Sequence, residues 1–199
     1  MSSGSLRGLL AAVSADPFFA AMNEATGSIT HRVTGPPAIR PFVVGTLAAG
    51  YPDAGVPVLL VTATGREAEA AVASIGDLIG DDRVALFPSW ETLPHERLSP
   101  RADTVGRRLA TLRRLAHPEE HPGGYPAVVV ATIRSMIQPM APHLGEMAPV
   151  TLRVGQEVDL TELVDRLVSL AYGRVDMVEK RGEIAVRGGI LDIFPPTAD

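Results

Sequence analysis

Ala127-Val128-Val129-Val130-Ala131 is an unbroken apolar run with three β-branched residues at its centre. A strand open to water on one face alternates polar and apolar residues, whereas one that is apolar at every position is covered on both faces, as in the middle of a parallel sheet. Earlier in the chain, Val58 to Val61 and Val84 to Phe87 have the same character. Between them Arg66 to Ile79 predicts a helix with Ala71, Val72, Ile75, Leu78 and Ile79 on its inner side. Pro57 suits the start of the first strand, where no ladder donor is needed. A second helix carries Val105, Leu109, Leu112 and Leu115 at three- and four-residue steps, with Asp103 as its expected cap. The turn-forming stretch His117 to Gly124 then leads into Ala127. Strands of this kind alternating with amphipathic helices predict an α/β fold with a mostly parallel sheet and helices on both faces.

The pattern changes near Ala148. Thr151 to Val154 alternates as a half-buried strand does, Asp159 can cap a helix that turns Leu163, Val164, Leu167 and Leu170 inward, and Gly182 to Phe194 reads as two strands around Gly188-Gly189. The expected division is an α/β domain over residues 1–147 and a small α+β domain over 148–199, cut off by the end of the chain.

Composition narrows the function classes. The 199 residues are 46% hydrophobic, enough for a full core, and the net charge of -5 argues against a general polyanion binder, which needs excess Lys and Arg. There are no cysteines, so disulfides, thiolate metal sites and cysteine nucleophiles are excluded. The apolar patch Leu9 to Val13 is too short for a signal peptide or a membrane span, which predicts a cytoplasmic protein.

Thr30 to Val33, then Thr34-Gly35, then Ala38 to Ala49 have the strand, loop, helix order of a phosphate-binding loop. Such a loop needs glycines, backbone N–H groups aimed at phosphate, a Lys for the outer phosphates and a Ser or Thr for magnesium. In register with Gly35, the first glycine position holds Arg32, the second Pro37, the lysine position Ala38 and the hydroxyl position Ile39. Pro36 and Pro37 remove further donors, and Lys180 is the sole lysine of the chain. Gly35-Pro36-Pro37 is either the remnant of such a loop or a plain turn. Both readings predict no ATP binding.

Two longer segments carry a family resemblance. They are Leu86-Phe87-Pro88-Ser89-Trp90-Glu91-Thr92-Leu93-Pro94-His95-Glu96 with Ser99-Pro100 and Arg107-Arg108-Leu109, and Arg181-Gly182-Glu183 with Val186-Arg187-Gly188-Gly189-Ile190-Leu191-Asp192-Ile193-Phe194-Pro195. In order and spacing the chain resembles, from about Thr30 to Pro196, the amino-terminal region of the bacterial transcription-repair coupling factors, a module related to the excinuclease component UvrB. The resemblance implies a degenerate P-loop NTPase-like domain whose altered loop positions are Gly35, Pro37, Ala38 and Ile39. It also implies a second domain that docks onto the excinuclease component UvrA, bringing nucleotide excision repair to a stalled RNA polymerase. Carried residue by residue, the contacts fall on Arg187 and Arg181; a guanidinium fork suits that work because it pairs bidentately with carboxylates and stays charged. The same resemblance implies that the ATP- and magnesium-dependent DNA translocase, the polymerase contacts and a carboxy-terminal domain able to mask the docking face belong to other segments of the parent. No catalytic residue, cofactor or metal is expected in this chain.

Two other readings remain open on the residues alone. An ATP-using repair helicase of the UvrB kind would need the lost loop. A DNA-binding module would use Arg101, Arg107, Arg108, Arg113 and Arg114, although without interleaved aromatics these read better as a solvated helix face opposite Leu109 and Leu112. His117 and His121 have a zinc-helix spacing, but Pro118 and Pro122 oppose a helix there. Trp90 reads as a packing residue in a turn.

Overall fold

A computed structural model describes residues 6–24, 30–50, 56–92 and 100–196. Its first sheet is built around β3 (Val128–Thr132), in which every residue is buried. β1 (Val58–Thr62) and β2 (Val84–Phe87) lie parallel to it on either side, in the order β1-β3-β2. Leu60 is level with Val130, and Leu86 with the same residue from the other side.

The alternation of side chains along β3 divides the core in two. Val128 and Val130 face one layer with Ile75, Leu78 and Ile79 of α4 (Gly65–Ile79), Val44 and Ala48 of α3 (Arg40–Gly50) and Leu10 of α1 (Arg7–Ser14). Val129 and Ala131 face the other with Phe87 and with Leu112 and Leu115 of α5 (Ala102–Ala116). Helices therefore cover both faces of β3, whereas on β1, although it is apolar from Val58 to Val61, the face that holds Leu59 and Val61 is left open, at 49% and 42% exposure. Fully burying a residue such as Ile75 contributes about 1.5–3 kcal/mol. The helix α4 begins where Thr64 and Glu67 form a capping box, and it stops at Gly80, whose φ of 106° few other residues adopt. Three helices without a sequence expectation also form: α1, α2 (Pro17–Glu24) and the short α6 (Ile133–Ile137), the last capped by Thr132 and Ser135.

The smaller unit contains α7 (Leu160–Ser169), the two-residue β4 (Gly173–Arg174), β5 (Glu183–Arg187) and β6 (Ile190–Phe194). Asp159 caps α7 by accepting from the N–H groups of Thr161 and Glu162. β5 and β6 form an antiparallel hairpin and β4 runs parallel to β5. Val164, Leu167 and Ile184 are the buried centre of this unit, with Leu163, Val186, Leu191 and Ile193 packed around them. The base of the hairpin approaches the first unit: a Cβ placed on Gly182 would stand 3.3 Å from the Cβ of Ala102 at the start of α5.

Four local expectations are corrected. Thr30 to Val33 is exposed chain that joins no sheet, because Thr-His-Arg-Val lacks the continuous apolar character a parallel strand needs. Thr151 to Val154 is likewise no strand; Gly155, at φ 81°, turns the chain, and the side chain of Gln156 accepts from the Arg153 N–H. Asp103 is not the cap of α5, since the helix begins at Ala102 and the Asp103 carboxylate pairs with Arg101 at 3.3 Å. The solvated arginine face fails at Arg108, which is buried to 1% exposure. In the resemblance segment, Leu93, Pro94, His95, Glu96 and Ser99 lie outside the described residues.

Candidate functional site

The hairpin β5–β6 sorts its side chains by the period of two. Ile184, Val186, Leu191 and Ile193 turn toward α7. The opposite face carries Ala185, Arg187, Ile190, Asp192 and Phe194, since Arg187 is level with Ile190, Ala185 with Asp192 and Glu183 with Phe194. Arg187 Nη2 donates to Asp192 Oδ2 at 2.6 Å, with the two side chains 60% and 40% exposed. Ile190 beside them is 65% exposed. The Gly188-Gly189 turn, with φ 61° at Gly188, brings these groups together.

Arg181 lies at the other end of the hairpin, its guanidinium carbon 5.7 Å from the centre of the Phe194 ring. The turn that presents it is tied to β5 by Glu183, whose Oε2 accepts from the N–H groups of Glu179 and Lys180 at 2.9 and 2.7 Å. Those two hydrogen bonds hold the Glu183 carboxyl below its usual pKa. Four residue steps separate Glu183 from Arg187, about 13 Å of strand, so the two arginines mark the ends of one face and do not converge on one ligand group.

The segment that resembles a phosphate loop is built differently. Pro37–Ile39 is a short 3-10 turn whose Ile39 N–H bonds to Pro36 O at 3.0 Å, and α3 follows at once. The Ile39 side chain lies 3.3 Å from where a Gly35 Cβ would stand, so an alkyl group fills the space over the turn. With Ala38 and Pro37 at the other positions, and no strand leading into them among the described residues, these residues do not fit a triphosphate.

The arginines of α5 are largely committed to the protein. Arg108 lies between Phe87 and Trp90 and donates through Nη1 to Pro88 O at 2.6 Å, while Nε and Nη2 are buried without a hydrogen-bond partner among the described residues. Burial lowers its pKa. Thr104 bonds to Glu91 one turn earlier, and Gln138 brackets Trp90 by accepting from its N–H and donating to its carbonyl. Arg113 pairs with Glu120 and donates to the carbonyls of Gly145 and Glu146; Arg114 donates to Gly124 O and Tyr125 O. His117 sits between Glu119 and Glu146 at 3.2 and 2.9 Å. His117, Glu119 and Glu120 do bring metal-type ligand atoms together, but the ion pairs to Arg113 and His117 already use them.

Comparison with known proteins bears on the region that holds the hairpin. Residues 150–199, which hold the entire hairpin, match the UvrB interaction domain family. Over 98% of its length the chain is 51% identical to the transcription-repair-coupling factor of Mycobacterium bovis. The chain belongs to the transcription-repair coupling factor family. The coupling factors of Bacillus subtilis and Escherichia coli are 32% and 33% identical over 72% and 58% of the chain. The chain spans 16%, 12% and 10% of the lengths of these three coupling factors.

Sequence reasoning reached Arg187 and Arg181 but not Asp192, Ile190 or the burial of Arg108. For Asp192 a signal existed. A two-residue Gly188-Gly189 turn fixes Arg187 opposite Ile190, which puts Asp192 diagonally across from Arg187 on the same face.

Proposed function

We propose that this part of the coupling factor is a non-catalytic adaptor that docks onto the excinuclease component UvrA through the outer face of β5–β6, with Arg187 as its principal contact and Arg181 as a second. The supporting observation is that the region matching the UvrB interaction domain family carries an exposed arginine on a hairpin next to an exposed isoleucine. An apolar contact flanked by a guanidinium is a common form of interface anchor. The hairpin backbone is fixed by its own ladder and by the α7 core, so little order has to be gained on docking.

In this reading the first unit is a scaffold. Recruitment of nucleotide excision repair to a stalled RNA polymerase follows when other segments of the parent hold the polymerase and DNA. ATP-driven movement along DNA, with its magnesium, belongs to those segments as well, and so does any domain that masks the docking face. A cytoplasmic location goes with this role; among the described residues no helix is long and apolar enough to cross a membrane.

Two titrations test the reading. UvrA is expected to bind the chain saturably, and labelled ATP with magnesium is expected not to bind. Saturable ATP binding together with no affinity for UvrA would replace the adaptor by a nucleotide-using module.

A further inference from the structure

Arg187 is not a bare cation on the hairpin. Its Nη2 is held by Asp192 Oδ2 at 2.6 Å, and that bond leaves Nε and Nη1 to other acceptors. Arg187 and Asp192 are diagonal neighbours across a ladder whose register a two-residue glycine turn sets, so the pair is defined by the backbone. We propose that Asp192 is a positioning residue for docking: it orders the Arg187 guanidinium beside Ile190, so that the surface received there brings a carboxylate to Arg187 and an apolar group to Ile190. This rests on the docking role of Arg187 given above.

Two opposing effects decide the sign. A carboxylate next to Arg187 offsets part of its attraction for a second carboxylate on the partner. Both groups are substantially exposed, so that repulsion is weakened by solvent and salt. Ordering acts differently: an arginine held in one rotamer before contact loses less side-chain freedom when docking completes. The bond to Asp192 uses one terminal nitrogen only, so the ordered fork keeps donors for the partner. Positioning therefore outweighs competition, and removing the Asp192 charge weakens binding.

A double-mutant cycle on the whole 199-residue chain, titrated with purified UvrA, tests this. Asp192→Asn is expected to weaken binding about fivefold, Asp192→Glu to recover part of the loss, and Asp192→Asn to have no effect in an Arg187→Ala background. Asp192→Asn binding as tightly as the parent, or more tightly, overturns the positioning role. So does an equal loss in both backgrounds, which would make Asp192 a support of the fold. If Arg187→Ala alone leaves affinity unchanged, the docking reading of Arg187 fails instead, and the cycle separates the two failures.

Discussion

The guanidinium carbon of Arg108 stands 4.2 Å from the ring centre of Trp90, with Phe87 at 4.1 Å from it as well. This stack joins α5 to the turn after β2 and converts a residue that reads as surface charge into part of the interior. Two of its donor atoms have no partner among the described residues, which makes the charge itself expensive and the flat side chain useful. Arg108→Ala is expected to destabilise the protein by about 2–4 kcal/mol, because two aromatic rings lose their contact. Arg108→Met keeps the volume without the buried charge and is expected to stay within about 1 kcal/mol of the parent. Denaturant unfolding followed by Trp90 fluorescence measures both.

The same arginine shows why part of the fold could be read from sequence and part could not. Val128 to Ala131, Ile75 to Ile79 and Leu163 to Leu167 signal their elements because apolar periodicity records burial directly. On α5, however, Thr104, Gly106, Arg108 and Thr111 are buried while the leucine stripe is only half-covered. Hydrogen bonds from Thr111 to Leu86 O and from Arg108 to Pro88 O, with the aromatic stack, make polar residues acceptable there. Nothing in the helical spacing encodes those partners. At the hairpin the reverse holds, since turn length and period two make the Arg187 face legible without the structure.

A pH dependence follows from His117. Hydrogen bonds to Glu146 and then to Glu119 raise its pKa above the usual 6.5, against partial burial and the charge of Arg113; Glu120 completes the set of charged neighbours. The folded state therefore holds the proton more tightly than the unfolded chain. The resulting stability is fully present below the unfolded pKa and is lost as pH rises through the higher folded value. The melting temperature of the parent should exceed that of His117→Gln most clearly at about pH 6, and the gap should close in the alkaline range. A gap that widens with pH would count against the His117 pairing.

The turn at 144–146 packs tightly on α5. A Cβ on Gly145 would lie 2.9 Å from Leu112 O and 3.2 Å from the Cβ of Ala116. Since the first of these is backbone, Gly145→Ala must displace the turn and is expected to cost about 1–3 kcal/mol. The same substitution at Gly189, where a Cβ meets nothing within 4 Å, serves as the neutral control in a thermal melt.

DNA should not be gripped by α5. Arg108, Arg113 and Arg114 are engaged with Pro88, Glu120 and Gly124, which leaves too few free cations on the helix for strong phosphate neutralisation. Duplex or single-stranded DNA is expected to bind weakly, and Arg107→Glu is expected to change that affinity little. Tight binding that falls steeply with salt and collapses on charge reversal at Arg107 would restore the DNA-binding reading.

Docking of UvrA on the outer face of β5–β6 is decided by its affinity for this chain and for Arg187→Ala, with melting temperatures to show that both are folded. Saturable binding by the parent is expected, together with a loss of at least about tenfold on removing the guanidinium, as for a desolvated arginine anchor. A parent chain that does not bind UvrA, or a folded Arg187→Ala that binds it equally well, would rule this docking face out.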